Sequence, residues 1–268
     1  MRNRDHKLLA AALLAIALIA SGCGNSSSPT NVGAISQDDA DDLAVLGVAA
    51  MNQVGLDAKG SVGMPGGPMA SSQSPIARPG VGPMAALWDT SYVRDGLTIE
   101  ASRNFYDSGD LQLAQYGPDA VKLVWTSRIF GTVEMPRDTA TVGHIGSLEV
   151  RGIQPTDTAF VINGAGADSL MNRFRSYDGT RTRYFYWNSA LTIVNVIERH
   201  VVDGYPLSGT VTFVVQADRL RSNSRADVEA HLRATIVVTF NGTNTPIVTV
   251  NSSRSYHWNM ATGELIRA

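Results

Sequence analysis

The clearest pattern in the chain runs from Val228 to Phe240. Val228, Ala230, Leu232, Ala234, Ile236, Val238 and Phe240 fall on one side, and Glu229, His231, Arg233, Thr235 and Thr239 on the other. A period of two with one wet side predicts a long antiparallel strand. The same period begins near Leu87. Ile99, Ala101, Arg103 and Phe105 alternate with Thr98, Glu100, Ser102 and Asn104, and Val121, Leu123, Trp125 and Ile129 oppose Lys122, Thr126 and Arg128. Further strands are expected near 146–152, 158–163, 170–177, 180–187, 190–201, 209–217, 247–251 and 255–258.

Turn chemistry separates these runs: Asp107 to Asp110, Asp178-Gly179, Asp203-Gly204, Asn241-Gly242 and Thr262-Gly263. Asp-Gly and Asn-Gly are the stronger hairpin signatures, because a type I′ turn needs positive φ at both central positions. No helical period interrupts the series. The expected fold is all-β, a curved antiparallel meander of about ten strands, because that many long strands curl or close rather than stay flat. A half barrel and a closed barrel both fit. The outward Arg, Glu, Thr and His want water, unlike the apolar band of an outer-membrane barrel.

Before the strands the pattern differs. Ser36 followed by Asp38, Asp39, Asp41 and Asp42 has the form of a helix cap with acids in the first turns. Leu43, Leu46, Val48, Ala50 and Met51 then give an apolar stripe, predicting a short helix over 36–55. The acids lack the glycine and alternate oxygens of a calcium loop. Residues 56–86 are rich in Gly, Pro, Ser and Met and read as a linker that cannot offset its ordering entropy. On this reading 87–268 is the antiparallel β domain, able to fold alone from about Pro83. The helix before it is either loosely docked or a separate partner-binding segment.

At the start, Arg2, Arg4 and Lys7 precede thirteen residues of Leu, Ala and Ile from Leu8 to Ala20. A basic start and an apolar run shorter than the ~20 residues of a membrane span have the build of a secretory signal. Ala20-Ser21-Gly22-Cys23 follows and resembles the lipobox of bacterial lipoproteins, although Leu is commoner than Ala at the first of these positions. The resemblance covers about sixteen residues. It implies cleavage after residue 22, acylation of Cys23 (palmitate or a similar chain) and a membrane anchor made through that cysteine. Residues 1–22 are then a signal peptide and 23–35 a polar tether. Gly24, where an Asp would retain such a protein at the inner membrane, leans the location toward the outer membrane of a cell envelope that has one.

Composition narrows the function. The chain has 22 basic and 24 acidic residues. The first 22 residues hold three of the basic and one of the acidic, so 19 and 23 remain and the mature chain carries −4. That balance argues against nucleic acid as a partner. Cys23 is the lone cysteine, so no intrachain disulfide forms and packing must hold the fold. His144, His200, His231 and His257 show no metal-ligand spacing and read as polar strand residues. No G-x-S-x-G occurs, and Asn163-Gly-Ala-Gly166 reads as a glycine turn. No catalytic, metal or cofactor residue is assigned, and no enzyme is expected.

The remaining candidate surface is aromatic. Alternation sends Tyr184 and Tyr186 to one face and Phe185 and Trp187 to the other, with Arg173, Arg175, Arg181 and Arg183 flanking the hairpin. One face is core and the other packs at an edge, or the second face lines a groove for an apolar or glycan ligand beside an anionic-headgroup site. Three functions stay open: an envelope lipoprotein with a structural or interaction role, a carrier of lipid or another hydrophobic ligand, and a glycan-active enzyme. A cavity would favour the carrier, and a solid core the structural role.

Overall fold

The computed structural model describes residues 35–62, 90–94, 96–135, 138–200, 205–222 and 224–268. The signal segment, the lipobox, the tether up to residue 34 and residues 63–86 of the linker lie outside them. The described chain forms helix α1 (Gln37–Val62) and strands β1 (Thr90–Arg94), β2 (Leu97–Tyr106), β3 (Gln112–Leu113), β4 (Lys122–Met135), β5 (Asp138–Arg151) and β6 (Ala159–Arg175). Then come β7 (Thr182–Arg199), β8 (Ser208–Leu220), β9 (Val228–Thr239), β10 (Ile247–Val250), β11 (Arg254–Trp258) and β12 (Leu265–Arg267). The strands make one antiparallel sheet in which each pairs with the next, apart from β3, a short branch on β2. Strands β1 and β12 end the path without pairing to each other, so the sheet is open. This is the curved meander that the alternation predicts.

The period of two delivers the core directly. Phe185, Trp187, Leu191 and Ile193 on β7, Phe213 and Val215 on β8, and Ile236 and Val238 on β9 all point inward and are buried. Two expected pairs of strands merge into single long ones. Asn163 to Gly166 is no turn: it lies inside β6, where a bulge shifts the register between Ile162 and Gly164. A second bulge falls between Val194 and Ile197 against β8. Asn195 takes a positive φ of 49° there, and its amide N–H donates to Asn163 Oδ1 at 2.8 Å. Opposite it, Gly209 has φ +105°, and a Cβ would sit 2.4 Å from the Asn195 carbonyl oxygen. Paired bulges bend the long strands locally and increase their twist, and here they help the sheet curl.

The helix occupies the hollow of that curl. It touches β9, β10, β11 and β5. From Asp39 to Met51 every residue is buried except Val45 and Ala49, which are half-buried. These two stand one turn apart, and Val45 still packs against the core. Leu43, Ala44, Leu46 and Ala50 have no exposed surface and belong to the same core as the strands. A helix apolar on nearly all sides is a core helix. Gly47 lets it approach closely, since a Cβ there would lie 3.1 Å from Ile236 Cγ2. These facts correct two expectations. The helix is neither loosely docked nor short, and it passes through Gly55 because one interior glycine costs only about 1 kcal/mol. The compact unit runs from Ala34 to Ala268 and does not begin at residue 87.

Candidate functional site

The start of α1 lies at one end of the hollow, and the cap is as expected: Asp39 N–H donates to Ser36 Oγ at 3.1 Å. Each of the four acids also meets an arginine. Asp38 Oδ2 lies 3.6 Å from Arg181 Nη2, and Asp42 Oδ2 lies 3.0 Å from Arg183 Nε. Asp39 pairs with Arg219 of β8, and Asp41 with Arg267 of β12. Arg267 binds Asp41 at two points, with Nε donating to Oδ1 at 3.1 Å. Tyr256 Oη and Gln37 Nε2 add bonds to the same oxygen at 2.7 and 2.8 Å. Arg254 closes the ring by donating to Gln37 Oε1 at 2.9 Å and to the Ile35 carbonyl at 2.8 Å. The helix N-terminus is thus clamped by side chains from β7, β8, β11, β12 and the β6–β7 turn.

Two neighbouring carboxylates respond oppositely to this clamp. Burial pushes Asp42 up to about 6, and the Tyr177 amide and the Arg183 charge only partly offset it. Its contact with Arg183 is an ion pair without hydrogen-bond alignment. At Asp41 burial also acts upward. The hydrogen bonds from Arg267, Tyr256 and Gln37 together outweigh it and hold the carboxyl below its ordinary value. Tyr256, in turn, is raised by burial and by its bond to the Asp41 carboxylate. Between Asp38, Asp41, Asp42, Tyr177, Arg181 and Arg267 lies a polar cavity of about 40 Å³, room for a few waters. Among the described residues no group of three His, Cys, Asp or Glu side chains is placed to hold a metal ion.

A second buried polar group crosses three strands. His144 on β5, Asp168 on β6 and Ser189 on β7 are successive cross-strand partners with inward side chains. His144 Nδ1 lies 2.7 Å from Asp168 Oδ1, and Ser189 Oγ donates to Asp168 Oδ2 at 3.0 Å. The residue types are those of a hydrolytic triad, but the carboxylate is the hub. A nucleophile needs its hydroxyl on the base, whereas here both bonds go to the acid. All three groups are buried, so the arrangement ties the wall of the sheet together. His144 is a polar strand residue, as expected, but one that faces the core. His200 bonds the Gly152 carbonyl, and His231 pairs with Asp218 at 2.7 Å on the outer face.

The aromatic hairpin divides as alternation predicts. Phe185 and Trp187 have no exposed surface and are unavailable to any ligand, which corrects their inclusion in a binding surface. Tyr184 and Tyr186 are half-buried on the outer face, where the Arg225 guanidinium stacks 3.8 Å above the Tyr186 ring. Arg181 and Arg183 belong to the helix clamp. Nothing local in the sequence pairs Asp39 with Arg219 or Asp41 with Arg267, because those contacts bridge about 180 and 226 positions. The outer face also carries an apolar row across four strands: Ile145, Ala167, Ala190 and Val214, each opposite the next. Ile145 is 63 % and Val214 56 % exposed. Comparison of the chain with protein-family models, with curated proteins and with solved structures gives no match.

Proposed function

We propose that the chain is a lipid-anchored protein of the bacterial cell envelope that acts through its surface, in a structural or interaction role, and not through a bound ligand or a catalytic centre. What carries this reading is the filled hollow. A curved sheet that carried a lipid would need an apolar cavity of several hundred cubic ångströms. Here Leu43, Ala44, Leu46 and Ala50 of α1 occupy that space. The cavity at the mouth of the hollow is about 40 Å³ and is lined by charges. The outer face offers polar strands and the row from Ile145 to Val214 to an envelope partner. The anchor rests on the resemblance of residues 20–23 to a lipobox.

Two measurements test the reading. Cys23→Ala should abolish both fatty-acid labelling and membrane attachment, and labelling that survives the substitution overturns the anchor. Native mass spectrometry of the mature chain purified from cells should give the mass of the polypeptide and its anchor alone. A stoichiometric additional lipid would overturn the surface reading in favour of a carrier.

A further inference from the structure

The end of the sheet that holds the start of α1 gathers a set of exposed arginines in a chain that is acidic overall. Arg173 and Arg175 close β6, Arg181 sits in the β6–β7 turn, and Arg221 and Arg225 flank the β8–β9 turn. All five are exposed. Several carboxylates at this end are engaged by arginines. Asp39, Asp41 and Asp42 are buried against arginines. Asp38 pairs with Arg181, and Asp178, held by Ser176 and Thr180 of its own turn, keeps its charge beside the same arginine. Glu229 is shared by Arg219 and Arg221. Among the described residues neither Arg173 nor Arg175 has a carboxylate partner. Tyr184, half-buried, stands directly across from Arg173, and Tyr186 carries the stacked Arg225.

The tether enters at this same end, because Ile35 and Gln37 are held there by Arg254. Eleven residues lie between Cys23 and Ile35. A chain of that length spans at most roughly 40 Å even fully stretched. The long strands are of comparable or greater length: the 18 residues of β7 extend about 60 Å. A bilayer reached through Cys23 therefore lies nearer the arginine end than the opposite one. Arginines draw a surface toward anionic headgroups, and tyrosines favour the boundary between membrane and water.

We infer that this rim, Arg173, Arg175 and Arg225 with Tyr184 and Tyr186, seats the domain on an anionic phospholipid surface. The inference rests on the lipid-anchored reading, yet it is tested without the anchor. The mature chain carrying Cys23→Ala is sedimented with vesicles of phosphatidylglycerol and phosphatidylethanolamine and with vesicles of phosphatidylcholine alone. It should bind the first and not the second, and binding should fall steeply as salt rises from about 0.05 to 0.3 M. Each cation near such a surface strengthens binding about fivefold, so Arg173→Ala/Arg175→Ala should weaken it by about 25-fold. Both side chains are exposed, so the melting temperature should not move.

Equal binding to both vesicles, or an unweakened double variant, would overturn the proposal. So would binding to a soluble polyanion without binding to vesicles. Loss of the anchor reading alone would show as missing acylation of native Cys23 while unacylated protein still binds anionic vesicles.

Discussion

Asp41, in the second turn of α1, and Arg267, on β12, form a two-point ion pair that joins the first described element of the chain to the last. The carboxylate is buried, and the guanidinium is about half exposed and lies 5.1 Å from the Tyr177 ring. Removing one partner of a buried pair costs more than removing both, because it leaves the other uncompensated. Arg267→Ala should therefore lower the urea midpoint, by an amount tempered by the exposure of the guanidinium and by the bonds that Tyr256 and Gln37 keep to Asp41. Asp41→Asn/Arg267→Ala should recover part of that loss. Urea midpoints for the two singles and the double give the coupling. Strict additivity would mean that the pair contributes nothing.

The helix should be indispensable. Leu43, Leu46, Val48 and Met51 are each more than nine-tenths buried. At about 1.5–3 kcal/mol apiece they contribute on the order of 6–12 kcal/mol, comparable to the whole stability of a domain. A chain beginning at residue 87 should lose its cooperative unfolding transition and bind an apolar dye. A chain beginning at residue 34 should unfold in one transition. Near-UV circular dichroism and denaturant titration of the two separate the cases, and a native-like spectrum for the shorter chain would refute the role given to α1.

Asp42 should impose a pH dependence of unusual sign. Its folded pKa of about 6 lies above the unfolded value near 3.9, so the folded state holds the proton more tightly. Stability from this group is full below pH ~4 and is lost as pH rises through about 6, by up to about 3 kcal/mol. Asp41, with its lowered pKa, acts oppositely and costs stability only as pH falls below the ordinary carboxylate range. Asp42→Asn should flatten the stability profile between pH 4 and 6, read from denaturant midpoints across that window. An unchanged slope would contradict the assignment.

Gly47 should test how tightly the helix sits. Alanine gains roughly 1 kcal/mol of helix propensity over glycine, but its Cβ would press on Ile236 Cγ2 and Cδ1 at 3.1 and 3.2 Å. Gly47→Val should destabilise by about 1–3 kcal/mol through overpacking. Ile236→Val alone should cost about 0.5–1.5 kcal/mol. In a Gly47→Ala background, where the lost methyl relieves the contact, it should cost less. Thermal melts of the four proteins measure this coupling.

Much of this architecture was legible in residue order. Alternation from Val228 to Phe240 determined a strand and its buried face. Asp178-Gly179 and Asn241-Gly242 determined turns, and Ser36 with its acids determined a helix start, because all three depend on neighbours within a few residues. The tertiary structure decided what distance along the chain conceals. Asn163 to Gly166 became the bulged middle of β6 because strands on both sides pair with it, overriding the turn preference of its glycines. The helix became the core of the sheet because the curl of that sheet leaves a hollow of the size of one helix. The four acids became a clamp because Arg181, Arg183, Arg219 and Arg267, remote in sequence, arrive at the same mouth. Local propensity is written in the order of residues, while a shared cavity and a buried charge exist only once the chain has closed around them.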